Sequence, residues 1–231
     1  MRYLLIIMSF MLCLNADVFE KVEDKNFSKE DIKKMNQIFT LDGSIKLFPE
    51  LEEMFIAETG DKNYRKYLQE AVRDEDWRKA NYSFNFMKKE GSFIVYENQK
   101  IDVPTPEYEL GLYYYAKSAD KGNILAAYQG FKILEKYFMY MGANKITKQY
   151  LGFFTKKLME KNYCIGYLYY ARSINGDYIR EPDHNEIKKI LDKGRLECSK
   201  EGLEPYYLRG INHEAARNNV LIKIKSKRGT E

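Results

Sequence analysis

The chain has 231 residues, of which 45% are hydrophobic and 15% are aromatic. This apolar share excludes intrinsic disorder for most of the sequence, because a chain of this length can bury the core of one or two domains. The 38 basic and 34 acidic residues nearly balance, giving a formal net charge of +4. Such a mixed surface excludes the strongly basic character that is typical of nucleic-acid-binding proteins.

The first residues have the pattern of a secretory signal peptide. Arg2 precedes an apolar run from Tyr3 to Leu14, which is too short to span a bilayer, and Ala16 marks a cleavage site. We therefore predict a signal peptide over residues 1–16 and an exported mature chain that is periplasmic or secreted. The alternatives are a retained anchor and a buried N-terminal helix.

Residues 17–91 are predicted to form an N-terminal helical section. Ser28 has the pattern of an N-cap, and Asp31 stands at the capping-box position three residues later. Pro49 can open a short helix that ends near Gly60. Two further helical segments follow before the section ends.

The character of the sequence changes over residues 92–105. The segment SFIVYENQKIDV is rich in β-branched and aromatic residues and lacks helical spacing, so it is either a short strand or an extended connector. Thr105 and Pro106 then have the pattern of an N-cap followed by the first residue of a helix. We place a boundary between two parts of the chain here.

Helical patterns dominate residues 106–217, with glycines between them. The predicted helices cover residues 106–121, 123–141, 146–160, 162–175, 184–199 and 205–217. Because the connections are short, successive helices are expected to pack as antiparallel pairs. The chain is therefore predicted to be all-α, with stacked helix pairs after the N-terminal section.

The last segment, residues 218–231, is a basic tail that alternates apolar and basic residues. Its basic members are Lys223, Lys225, Lys227 and Arg228. We predict a frayed strand or a disordered tail. Its charge favours weak contact with an anionic membrane surface, and the alternative is a solvated tail without a partner.

One short segment occurs twice within the predicted stack. ELGLYYYAKSADKGN begins at Glu109 and CIGYLYYARSINGDY begins at Cys164. When Gly111 is aligned with Gly166, the following Tyr-Tyr-Ala-basic-Ser residues also align. A glycine inside a helix costs about 1 kcal/mol relative to alanine, so both glycines are expected where a neighbouring helix approaches closely. Repeated copies indicate stacked helix pairs.

These segments resemble the Sel1-like branch of the tetratricopeptide-type repeats. The family pattern begins A-x-x-G-x-x-x-A and continues to a second glycine, and the chain has Ala119, Gly122 and Ala126 at those intervals. Gly130 takes the place of the second glycine, and Gln129 replaces the leucine before it. The resemblance covers about residues 106–217 and implies a short α-solenoid, with Gly130 as a third glycine at a helix crossing.

The resemblance also implies a disulfide bond, because Sel1-like proteins that contain cysteine carry one on each helix of a pair. Cys164 lies near the start of the predicted helix 162–175, and Cys198 lies near the end of the predicted helix 184–199. In an antiparallel pair those two ends are neighbours, and an exported protein offers an oxidising environment. The alternative is a pair of reduced, buried cysteines.

The tyrosine triplet Tyr113, Tyr114 and Tyr115 is the strongest candidate for a binding surface. Three consecutive residues cover nearly the whole circumference of a helix, so at least one is expected to face outward. Tyrosine is well suited to anchor a bound peptide, together with surrounding Lys and Glu. The alternative is an ordinary core whose hydroxyls reach water at its edge.

The residues that could carry chemistry have simpler structural explanations. Asp183 and Glu186 around His184 match an N-cap and its capping-box partner better than a metal site. The segment HEAAR starts at His213 like a zinc-protease helix, but Arg217 stands where the second histidine is required. Carboxylate pairs are predicted as caps and solvated helix faces. We therefore predict no catalytic, metal-binding or cofactor-binding residues.

The hypothesis that follows is a non-enzymatic scaffold of the bacterial cell envelope, which binds a partner protein or peptide on a tyrosine-rich helical surface. One alternative is a cell-wall-active enzyme with a carboxylate site in the N-terminal half. Another is an accessory subunit of an envelope machine, in which oligomerisation is the function. No nucleic acid or cofactor is expected as a partner.

Overall fold

The computed structural model of the chain describes residues 27–87, 93–96, 99–102, 106–141, 145–175, 182–199 and 205–228. The predicted signal peptide, with its cleavage site at Ala16, lies outside these residues. Within them, the chain forms eleven helices and one β-hairpin. No helix in these ranges combines the length and the apolar character that are needed to cross a membrane.

The helices of the N-terminal section are α1 (Lys29–Ile38), α2 (Leu41–Leu47), α3 (Leu51–Thr59), α4 (Tyr64–Ala71) and α5 (Glu75–Phe86). Ser28 and Asp31 form the predicted capping box at the start of α1. Gly60 ends α3 in the left-handed conformation, with φ of 72°, which a glycine adopts without strain.

The helices of the stack are α6 (Pro106–Asp120), α7 (Ile124–Met141), α8 (Lys145–Glu160), α9 (Cys164–Asn175), α10 (His184–Cys198) and α11 (Pro205–Arg228). From α5 to α11 each helix packs against the next, and α6 also contacts α8 as α9 contacts α11. The predicted all-α fold of adjacent, packed helices is confirmed. The helix boundaries agree with the predicted ones to within two residues except at the end of α11.

The segment between the two parts is a β-hairpin, which replaces the single strand or connector expected at residues 92–105. Strands β1 (Phe93–Tyr96) and β2 (Gln99–Asp102) pair antiparallel, with Phe93 opposite Asp102. Strand β2 also lies against α7. The hairpin therefore adds to the stack at the point where the N-terminal section joins it.

The prediction of a frayed or disordered tail at residues 218–231 is wrong over the part that is described, because α11 continues to Arg228. Asn218 explains the continuation. Its side chain is buried and donates to the carbonyl oxygen of His184 at 2.7 Å, while its Oδ1 lies 2.9 Å from Nδ1 of the same histidine. These bonds fix α11 to the start of α10 beyond residue 217.

Gly111 and Gly130 lie where helices cross, against aromatic rings. A Cβ atom at Gly111 in α6 would stand 2.5 Å from the ring of Phe84 in α5. A Cβ at Gly130 in α7 would stand equally close to the ring of Phe154 in α8. The absence of a side chain at these positions lets each ring fill the space between two helices.

Gly166 lies at a tighter crossing, where α9 meets the backbone of α8. A Cβ at this position would stand 2.2 Å from the backbone nitrogen of Met159 and 2.5 Å from the carbonyl carbon of Leu158. Backbone atoms cannot rotate away as a side chain can. This contact therefore sets the distance between α8 and α9.

The two cysteines lie at the neighbouring ends of α9 and α10. Cys164 is the first residue of α9 and Cys198 is the last residue of α10. Their Sγ atoms are at disulfide bonding distance and their Cα atoms are 5.0 Å apart. Both side chains are buried. The pairing expected from the sequence is thus present in the geometry of the α9–α10 hairpin.

We expect Gly166→Ala to lower the free energy of unfolding by about 2 kcal/mol, because the added methyl group would force α8 and α9 apart. The matched control is Gly210→Ala in α11, where the new Cβ meets the end of the flexible Leu168 side chain. Urea unfolding followed by circular dichroism measures both. Equal stability of the two variants would contradict the proposed constraint at Gly166.

The cysteine pair generates a second prediction. A bond that closes a loop with a sequence separation of 34 should stabilise the fold by about 3–4 kcal/mol on the chain-entropy model. We expect a reducing agent to lower the urea midpoint of the native chain by a corresponding amount. The Cys164→Ser/Cys198→Ser variant, whose stability should not respond to the reductant, is the control. Free thiols at both positions in the unreduced native protein would exclude the bond.

Candidate functional site

The structure places two of the three predicted anchor tyrosines in the core. Tyr114 and Tyr115 are 0% and 2% exposed, and the hydroxyl of Tyr115 donates to Oδ1 of Asn81 at 2.8 Å. Tyr113 is half-buried, with the ammonium of Lys117 at 5.3 Å from its ring centre. The expectation that the triplet forms a surface is corrected for Tyr114 and Tyr115, because α5 packs along this side of α6 and encloses them.

Helices α7, α9 and α11 bring together the side chains of a different set of tyrosines and charged residues. We call it the α7–α9–α11 face, and its members are Lys132, Glu135, Tyr169, Arg172, Tyr206 and Glu214. Lys132 and Glu135 on α7 are three residues apart, as are Tyr169 and Arg172 on α9, so each pair lies on one side of its helix. Tyr206 is 48% exposed, and Tyr169 is half-buried beside it. This face therefore presents Tyr206 to solvent.

The centre of this face is an ammonium group between two carboxylates. Nζ of Lys132 lies 2.8 Å from Oε1 of Glu58 and 2.5 Å from Oε2 of Glu135. Glu58 belongs to α3 and also accepts from the hydroxyl of Tyr128 at 2.5 Å. The hydroxyl of Tyr169 donates to the other oxygen of Glu135. One cation and two phenols thus join α3, α7 and α9.

The electrostatics of this cluster favour a charged lysine and neutral phenols. Burial alone would lower the pKa of Lys132, but the hydrogen bonds and charges of Glu135 and Glu58 outweigh burial and raise it. Burial, and then the adjacent carboxylate, raises the pKa of Tyr128 and of Tyr169. The cluster is therefore a set of ionised and neutral groups that bond to each other and hold three helices together.

Charged contacts continue from this cluster to α11. The guanidinium of Arg172 lies 5.4 Å from the ring centre of Tyr169, and its Nε donates to Oε1 of Glu214 at 3.0 Å. Glu214 is buried on α11. Positive and negative groups therefore alternate across the face from α3 to α11, and no single sign of charge dominates it.

The helices α3 and α4 are fixed to the stack beside this face by aromatic contacts. Phe55 is fully buried, and its ring centre lies 5.1 Å from that of Tyr128 and 5.9 Å from that of Tyr163. Asp61 accepts from the hydroxyls of Tyr163 at 2.7 Å and Tyr67 at 2.9 Å. The N-terminal section and the stack, which the sequence separates, therefore share one core.

A half-open cleft lies where the N-terminal section meets the stack. We call it the junction cleft, and it has a volume of about 240 Å³. Its walls are mainly apolar, and its lining includes Phe48, Leu51, Tyr108, Gln129, Lys132 and Ile133. Lys132 belongs both to the cleft and to the α7–α9–α11 face. The cleft and the face therefore meet at Lys132.

Gln129 supplies a polar group to this otherwise apolar cleft. Its side chain is buried, and its Oε1 accepts from the indole nitrogen of Trp77 at 2.6 Å. Its Nε2 lies 3.4 Å from Oδ1 of Asn81, which also accepts from Tyr115. The sequence contained a signal for this residue, because Gln129 stands where the Sel1-like pattern has leucine.

The other residues considered for chemistry lie apart from the cleft. Oδ1 of Asp183 accepts from the backbone nitrogens of Asn185 and Glu186, so it is the predicted N-cap of α10. His184 contacts Asn218, and His213 is exposed. The described part of the chain contains no group of three or more His, Cys, Asp or Glu residues that could hold a metal ion.

The acidic run at residues 74–76 is a structural junction between α5 and α6. Asp74 caps α5 and accepts from the hydroxyl of Ser118 at 2.5 Å. Asp76 is buried and bonds to the ammonium of Lys121. The interpretation as a cap is correct for Asp74. The expected solvated face is wrong for Asp76, because Lys117 of α6 and Lys121 just after α6 pair with its carboxylate.

Comparison with known protein families, with curated proteins and with solved structures finds no match to this chain.

Tyrosine ionisation tests the phenol–carboxylate bonds. Burial and a nearby carboxylate raise the pKa of Tyr128 and of Tyr169, and the hydrogen bond to Asp31 raises the pKa of Tyr82 to about 12. A phenol with a raised pKa holds its proton more tightly in the folded chain. Its stabilising contribution is therefore intact below about pH 10 and is lost as the pH rises through the folded pKa.

We therefore expect a distinct part of the phenolate absorbance of the native chain, that of the buried and carboxylate-bonded tyrosines, to appear only well above pH 10 and together with the loss of helical circular dichroism. The same chain unfolded in urea, which should titrate near pH 10, is the control. Full phenolate absorbance at pH 10 in a chain that is still helical would contradict the buried bonds.

Proposed function

We propose that this chain is an exported, non-enzymatic scaffold of the bacterial cell envelope, built on Sel1-like helix pairs, which binds a segment of a partner protein. The signal-peptide pattern at residues 1–16 supports export. The cysteine pair at disulfide distance is compatible with an oxidising compartment. The stacked helices and the glycines at their crossings support a repeat architecture of the kind that presents extended binding surfaces.

The observation that carries the proposal is that the junction cleft and the α7–α9–α11 face meet at Lys132. An apolar pocket beside accessible tyrosines has the composition of an interface centre, in which a few anchors contribute most of the binding energy. A partner segment would place an apolar residue in the cleft and extend along the face past Tyr169 and Tyr206.

A scaffold is favoured over a cell-wall enzyme by the way in which the nearby carboxylates are used. Glu58 and Glu135 bond to Lys132 and to tyrosine hydroxyls of the stack. These bonds join α3, α7 and α9, so the carboxylates serve the packing of helices. A scaffold needs this rigidity, because a preformed surface loses less entropy when a partner binds.

Site-specific photocrosslinking in the organism that encodes the protein tests this function. We expect benzoylphenylalanine at Asn85, which is exposed and lines the cleft, to form a discrete protein adduct on illumination. The matched control is the same probe at Leu196, which is 68% exposed on α10. Adding Ile133→Trp to the Asn85 probe should remove the adduct by filling the cleft.

Mass spectrometry of the adduct identifies the partner. Equal adducts from Asn85 and Leu196, or recovery of glycan fragments in place of a protein, would refute the scaffold. If the Asn85 probe forms no protein adduct in a chain that is exported and folded, the scaffold is also refuted.

A further inference from the structure

The junction cleft has a size and a set of hydrogen-bond donors that indicate what it binds. Resting on the function proposed above, we propose that it takes one large, neutral, apolar residue of the partner segment. A carbonyl oxygen of that residue accepts a hydrogen bond from Gln129 or Lys132. The site therefore selects an aromatic or aliphatic residue next to an uncharged carbonyl and discriminates against acidic groups.

The volume of the cleft indicates a single side chain. Pockets that hold drug-sized ligands or cofactors usually measure about 300–1,000 Å³. The junction cleft measures about 240 Å³ and is only half enclosed. A ligand seated in it would thus be covered on one side and continue into solvent on the other. A residue within a peptide has this form, since its side chain is enclosed while the neighbouring residues extend outside.

Gln129 offers a donor that the fold does not fully use. Its orientation is fixed, because the indole nitrogen of Trp77 can only donate and therefore bonds to Oε1. Nε2 carries two hydrogens, and among the described residues its one bond is the long contact of 3.4 Å to Asn81. Gln129 as a whole is 5% exposed, and it lines the cleft. A ligand that supplies an acceptor to this buried donor would form a hydrogen bond that the fold leaves unmade, which would favour binding.

The groups around Lys132 favour a ligand without negative charge. Its ammonium has three hydrogens and makes two bonds within the described residues, to Glu58 and Glu135. Glu58 and Glu135 do not line the cleft, but they lie within 2.8 Å of the Lys132 ammonium and together carry one more unit of charge than it does, so their negative charge stands directly behind the cleft wall. A carboxylate on the ligand would be repelled by them, whereas a carbonyl oxygen can accept from the donors without adding charge.

The experiment uses the exported chain, labelled with ¹⁵N, and N-acetyl-phenylalanine amide as the probe. We expect a saturable shift of the Gln129 side-chain amide signals. N-acetyl-phenylalanine, which has a free carboxylate, should bind at least about tenfold more weakly, because of the repulsion by Glu58 and Glu135. Ile133→Trp should abolish the shift by filling the cleft, whereas the matched control Leu196→Trp should leave it unchanged.

A longer probe distinguishes a site for a residue within a peptide from a site for a free small molecule. N-acetyl-Gly-Phe-Gly amide should bind as tightly as the single residue or more tightly, because the open side of the cleft leaves room for both neighbours. Loss of binding on this extension would overturn the assignment to a peptide and indicate a small-molecule site. Equal binding of the acid and the amide would overturn the selection for a neutral group.

The same measurements separate this inference from the function on which it rests. If the Asn85 probe captures a protein but the amide does not shift the Gln129 signals, the scaffold stands and the anchor is refuted. If the amide shifts those signals and Ile133→Trp leaves the shift intact, binding occurs elsewhere and the inference is also refuted. A specific, blockable shift together with a protein adduct supports both.

Discussion

The contact between the backbone of α8 and Gly166 of α9 is the constraint on which the stack depends. Because the two helices touch without an intervening side chain, their spacing is fixed by backbone atoms. Helix α9 then packs against α10 and α11, and its Tyr169 and Arg172 reach the neighbours on either side. The position of the α7–α9–α11 face therefore follows from the position of α9, since the groups that bond across it need their helices at a set distance.

The N-terminal section adds a second level of organisation to this stack. Phe55 inserts between tyrosines of α7 and of the segment before α9, and Glu58 and Asp61 accept hydrogen bonds from phenols of the stack. Each bond satisfies a polar group that burial would otherwise make costly. The section thereby covers one end of the α7–α9–α11 face and forms one wall of the junction cleft. The proposed binding site exists only where the two parts meet.

Much of the helical architecture could be predicted from periodicity, caps and glycines, because these are local properties of the sequence. The end of α11 could not, since α11 continues through Asn218, whose buried bonds to His184 depend on the tertiary fold. The candidate site was harder to predict from the sequence than the helices were. The tyrosine triplet suggested an exposed surface, but α5 encloses Tyr114 and Tyr115. Lys132 and Glu58 are ordinary helix residues in the sequence, and only folding brings them together across 74 positions.

The phenol–carboxylate bonds have a consequence for the order in which the chain folds. Asp61 and Tyr163 are 102 residues apart, and Glu58 and Tyr128 are 70 apart. A chain is synthesised from its N-terminus, so α3 emerges long before the helices that complete its core. Until α7 and α9 follow, Phe55 and its neighbours remain exposed to water and to other unfolded chains. A protein built in this way has its greatest need for a chaperone early in synthesis, when the first half is present without the second.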